Sequence, residues 1–108
     1  MISHKAGDVF AIKVILIHKD GSFDTKEVAW KVLDIDAYGI TKMRMLGVPY
    51  GVHDPAAPAA VHRFQPIFFK GEAFPMYIQS WVFDVFGLTD EDEESGEVVD
   101  AIYELRRL

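Results

Sequence analysis

The stretch DVFAIKVILIHKDGSFDTKEVAWKVLDI, residues 8–35, decides the fold. Its first part, Asp8 to Lys19, is rich in β-branched residues and apolar on both alternating faces except at Lys13 and His18. Such a run reads as a buried central strand. Asp20-Gly21 follows at once and predicts a tight two-residue hairpin, since a type I′ turn needs positive φ at both central positions. The second part admits two readings. Asp24-Thr25-Lys26-Glu27 fits a capping box that opens a helix with Val28, Ala29, Val32 and Leu33 on one face. Val28, Trp30 and Val32, alternating with Glu27, Ala29 and Lys31, fit a strand instead. The hairpin signal favours the strand, because something must pair back along the first one.

Working outward, a turn near Ala37-Tyr38-Gly39 leads into Ile40 to Leu46 and completes a three-stranded antiparallel meander. All five prolines lie between Pro49 and Pro75, and together with the Ala-rich stretch Ala56 to Ala60 they make residues 47–62 a long loop. Phe64 to Lys70 then reads as a short edge strand, where Pro66 is tolerable.

Two helices are expected after that. Pro75 opens the first, residues 75–86, with apolar pairs at Tyr77-Ile78, Trp81-Val82 and Val85-Phe86 and with Gly87 as a left-handed terminator. The second runs from near Thr89 to the C-terminus and sets Val98, Val99, Ile102, Leu105 and Leu108 on one face. Acids crowd its start and Arg106-Arg107 its end, as the helix macrodipole favours, with Ser95-Gly96 as a candidate break. The expected fold class is therefore α+β: a small antiparallel sheet of three or four strands packed by two C-terminal helices, with residues 1–108 as a single domain.

Composition narrows the function classes. At 108 residues, half of them apolar, one core can form without metal or disulfide help. The lack of cysteine removes disulfide frameworks, Cys-ligated zinc, iron–sulfur clusters and thiol nucleophiles. Met1 to Asp8 shows no secretory signal, and the longest apolar runs are broken by Lys13, Gln79 and Asp84, so a soluble, cytoplasmic protein with no membrane partner is expected. The net charge of −6 is uneven: residues 1–83 hold 8 acids and 9 bases, residues 84–108 hold 9 acids and 2 bases. A neutral body with an acidic end does not suit a phosphate-backbone binder, and direct nucleic-acid binding is not expected.

No catalytic constellation stands out. Asp90, Asp92 and Glu94 take the first, third and fifth places of an EF-hand-like loop, but Ser95 replaces the glycine and Ala101 the closing glutamate, so the run reads as a solvated helix start. Carboxylates on such a run can also mimic nucleic acid and inhibit an enzyme that binds it, although the neutral body weakens that idea. His53 and His62, with Asp54 beside the first, bracket the proline loop without a metal-binding motif, and no metal or cofactor is called for. Ser80 lacks a nucleophile elbow and reads as a small packed residue, while His18 and His4 read as a strand end and a mobile terminus.

Three readings of function remain, the acidic inhibitor of a nucleic-acid enzyme being the last of them. Eight aromatic residues between Phe64 and Phe86 exceed what one helix stripe can bury, which leaves Phe83, Phe74 and Met76 for an exposed surface alongside Asp90, Asp92 and Glu94. A non-enzymatic interaction module that self-associates as a homodimer, or meets a protein partner, is the leading expectation. The alternative is a small-molecule binding protein or small enzyme, its pocket lying between the 47–62 loop and the 75–86 helix and lined by Tyr50, His53, Asp54, His62, Tyr77 and Trp81.

Overall fold

The computed structural model describes residues 2–47 and 61–108. β1 (Val9–His18) and β2 (Phe23–Ile35) pair antiparallel from Val9 opposite Lys31 to Ile17 opposite Phe23, so residues 24–35 take the strand reading. Their turn is looser than the expected two-residue form. It spans residues 19–22, and Gly21 takes the left-handed conformation (φ 88°) while Asp20 does not. Asp20 closes the turn through its carboxylate, which accepts from the Ser22 hydroxyl and backbone N–H and is held below the usual carboxylate range by them.

After a turn in which Asp36 accepts from the N–H groups of Tyr38 and Ile40, β3 (Thr41–Gly47) returns along β2. β4 (Val61–Phe64) pairs antiparallel with β3. Then come a 3₁₀ helix (Pro66–Lys70), β5 (Phe74–Met76), α1 (Ser80–Val85), α2 (Asp90–Glu94) and β6 (Val98–Arg107). The strands form one antiparallel sheet in the order β4-β3-β2-β1-β6-β5, curled into a half-barrel.

This corrects the expected α+β fold of three or four strands packed by two C-terminal helices: among the described residues the sheet has six strands, and α1 and α2 have six and five residues. Each misreading has a local cause. Pro66 does not sit in an edge strand running to Lys70; it opens the 3₁₀ helix, since fixed φ suits a helix start. Pro75 sits in β5 opposite Ile102, and edge strands tolerate proline. The helix begins five residues later, at Ser80. Its end does follow expectation, with Gly87 left-handed (φ 66°) and the Leu88 N–H reaching the Phe83 carbonyl at 2.9 Å.

The C-terminal strand is disguised by a bulge. Ile17 faces Asp100 and His18 faces Val98, which leaves Val99 as the extra residue, exposed on β6. Beyond it the period is two: Ala101, Tyr103 and Leu105 are buried while Glu104 and Arg106 are exposed. One inserted residue therefore moved Val98 and Val99 into helical spacing with Ile102 and Leu105. The terminal arginines serve the sheet, not a helix dipole. Arg106 pairs with Glu27, and Arg107 pairs with Asp8 at 3.0 Å and lies over the Phe10 ring. Asp8 is held below the usual carboxylate range, first by the Lys5 backbone N–H and then by Arg107.

The concave face carries the core. Phe10, Ile12, Val14 and Leu16 of β1, Val28, Trp30 and Val32 of β2, and Ala101, Tyr103 and Leu105 of β6 are buried there, capped by Phe68 and Phe69 from the 3₁₀ helix and by Trp81, Val82 and Val85 from α1. Its centre is aromatic and packed edge to face: Trp30 lies 4.8 Å from Phe64 and 5.0 Å from Trp81, ring centre to ring centre. The N-terminal segment is docked and not a mobile end. His4 stacks on Phe69 at 3.6 Å and its Nε2 shares a 2.7 Å hydrogen bond with the buried Thr41 hydroxyl. Among the described residues no helix is long and apolar enough to cross a membrane.

Candidate functional site

β4 runs along one edge of the sheet, and the extended residues leading into α1 pass beside it. Between them lies a cleft of about 330 Å³ lined by His62, Arg63, Tyr77, Gln79, Ser80 and Trp81. The pairing Met43 to His62 sets His62 on the concave side of β4, beside the core. Gln79 is extended (φ −73°, ψ 151°), which presents Tyr77 and Gln79 as lead-in instead of as helix.

Tyr103 of β6 fixes that lead-in. Its phenolic oxygen accepts the Gln79 backbone N–H at 3.0 Å and donates to the Tyr77 carbonyl at 3.1 Å. Burial pushes the Tyr103 phenol up to about 12, so it stays protonated and able to donate across the neutral range. Gln79 is buried in turn and its side-chain oxygen accepts the indole N–H of Trp81. The amide nitrogen of Gln79 is left to donate elsewhere.

Trp30 lies behind the cleft wall. Its ring meets His62 at 5.7 Å and 87° and Trp81 at 5.0 Å. Trp30 Nε1 and His62 Nε2 are both buried, and neither has a hydrogen-bond partner among the described residues. A buried polar group left unpaired costs about 1–3 kcal/mol, whether it donates, as the Trp30 indole must, or accepts, as one nitrogen of a neutral imidazole does.

Three of the six residues proposed from sequence as pocket-lining, His62, Tyr77 and Trp81, come together here. Tyr50, His53 and Asp54 lie outside the described residues. The wall is the extended lead-in and the start of α1, where a helix over residues 75–86 was expected. Arg63, Gln79 and Ser80 were not foreseen as lining residues. Gln79 carried the one available signal, a lone amide inside an otherwise apolar run between Tyr77 and Trp81.

The residues expected at an interaction surface fall in several places. Met76 and Phe83 are partly buried and pack against the core; Phe74 opens β5, and its side chain is outside the described set. Asp92 turns inward to its own helix, its carboxylate accepting from the Thr89 N–H and hydroxyl while its own N–H bonds back to Thr89 Oγ1, a reciprocal cap that holds Asp92 below the usual carboxylate range. Asp90 lines a separate cleft of about 350 Å³ between α1 and α2 together with Phe83, Asp84 and Glu93, and Glu94 is exposed. Among the described residues no group of three or more His, Asp or Glu side chains is placed to hold a metal ion.

By fold and site the chain is a half-barrel β protein with an aromatic-backed cleft at one edge of its sheet. No protein-family model, no curated protein and no solved structure matches it.

Proposed function

We propose that this chain is a non-enzymatic binding module that takes a small ligand in the cleft between β4 and the lead-in to α1. The observation that carries the reading is the cleft of about 330 Å³ that brings His62, Arg63, Tyr77, Gln79, Ser80 and Trp81 together, with Trp30 packed behind it. Binding sites combine an apolar surface with a few placed polar groups, and about 330 Å³ lies at the small end of the range for such sites. Around residues 75–83, Met76 and Phe83 are partly buried against the core and Tyr77 is exposed.

Both tryptophans of the chain stand at this site, so its intrinsic fluorescence is a direct reporter. Titration with a panel of small carboxylates, amides and amines is expected to give a saturable emission change with at least one member. His62→Ala, on a short edge strand, should remove that change while the thermal unfolding transition persists. A folded protein whose emission responds to none of the panel, or a His62→Ala variant that responds as the parent does, would falsify the reading.

A further inference from the structure

The dipeptide Asp20-Gly21 can do more than turn the chain. The sequence has no asparagine, and Asp20 is its one aspartate followed by glycine. At such a bond the backbone nitrogen can attack the side chain before it, because glycine has no Cβ to block the approach. Asp8, Asp34 and Asp84 precede Val9, Ile35 and Val85, whose branched side chains crowd the same path. Asp20 and Gly21 are both exposed, and open space lies where a Cβ on Gly21 would stand.

In the reaction the Gly21 nitrogen bonds to Asp20 Cγ, and one carboxyl oxygen leaves as water with the Gly21 N–H proton and the carboxyl proton, which closes a succinimide ring. Water then opens the ring. Addition at Cγ restores the aspartate. Addition at the Asp20 backbone carbonyl carbon leaves the chain running through Cβ and Cγ with a free α-carboxylate, an isoaspartate. Water is the only co-reactant.

The closed turn engages both reacting groups elsewhere. The Gly21 N–H is committed to the His18 carbonyl at 3.0 Å. Asp20 Oδ1 accepts from the Ser22 N–H at 2.9 Å and from the Ser22 hydroxyl at 2.5 Å. These bonds favour the ionised carboxylate, which is a poor electrophile, over the neutral acid that reacts. We infer that Asp20-Gly21 is a modification site of this chain, a spontaneous conversion of aspartate to isoaspartate that the Ser22 hydroxyl restrains while the hairpin is closed. The product inserts a backbone carbon into the turn that sets β1 against β2, where Ile17 first faces Phe23. Turn length fixes hairpin register, so a converted chain loses the fit of its first strand pair.

The test incubates the whole chain, Ser22→Ala and Ser22→Thr at physiological temperature and mildly acidic pH, each shown to be folded by its thermal transition, beside the parent unfolded in urea. Peptide mapping then follows residues 20–26, where the isomer appears as an elution shift at unchanged mass. Ser22→Ala is expected to convert about tenfold faster than the folded parent, the factor of one hydrogen bond to a charged group. Ser22→Thr, which keeps the hydroxyl, should convert at the parent's rate, and the unfolded chain should convert fastest. Equal rates in the folded parent and Ser22→Ala, or in the folded and unfolded parent, overturn the restraint. Absence of the isomer at residue 20 from the unfolded chain overturns the site itself.

Discussion

Trp81→Ala is expected to lower the unfolding free energy by about 3–5 kcal/mol, the range for deleting a fully buried large aromatic side chain. Trp81 is 1% exposed and is the link between α1 and the sheet: its ring contacts Trp30, Phe64 and Tyr103, and its indole N–H ends on Gln79. α1 has six residues, too few to stand without packing, so losing this anchor releases the helix and the cleft wall with it. Guanidinium unfolding gives the number. A loss under about 1 kcal/mol would mean that α1 does not depend on the sheet as described.

The second large effect belongs to Tyr103. Its phenol is pushed up to about 12, above an ordinary tyrosine near 10, so the folded state holds the proton more tightly than the unfolded chain does. The stability this contributes is fully present below pH about 10 and is lost as pH rises from there toward about 12. Tyr103→Phe removes the hydroxyl that joins Gln79 to Tyr77, at an expected cost of about 1–3 kcal/mol at neutral pH. It also removes this residue's share of the alkaline decline, so the parent and variant stability curves should converge above pH about 10. Curves that stay parallel from pH about 8 to about 12 would contradict the role given to Tyr103. Because Tyr77 and Gln79 both line the cleft, the variant should also bind ligand more weakly while still folded.

The N-terminal half of this architecture was legible in the sequence because its signals are local. The apolar run of β1 and the alternation through Trp30 depend on near neighbours and match the observed meander, while Asp20-Gly21 marks the place of the first turn but not its four-residue form. The C-terminal part was not, for two physical reasons. At Val99 a bulge shifts the phase of the strand by one residue, which turns a period of two into an apparent helical face. Around Pro75 the local pattern is that of a helix start, whereas its strand character comes from the pairing with Ile102, a contact that no local pattern announces. Acids before and arginines after residues 95–105 resembled dipole compensation, but the arginines answer Glu27 and Asp8, far away in sequence.

Half of the proposed pocket residues met in one cleft even though the element carrying two of them was misread. Tyr77 lines the cleft from the extended lead-in and Trp81 from the start of α1. Trp30 escaped notice because a strand tryptophan with buried neighbours reads as core, which it is. Its unpaired nitrogen is visible only once its surroundings are known.

Everything at the site depends on β6 being a strand, since Tyr103 can reach Tyr77 and Gln79 only from the concave face of the sheet. The most direct measurement is a nuclear Overhauser spectrum of the intact chain over residues 98–107. The pairings of Ile12 with Leu105, Val14 with Tyr103, Phe74 with Tyr103 and Met76 with Ala101 predict cross-strand contacts from β6 to both β1 and β5. Sequential contacts three and four residues apart along 98–107, with no cross-strand partners, would make that segment a helix and contradict the half-barrel and its cleft together.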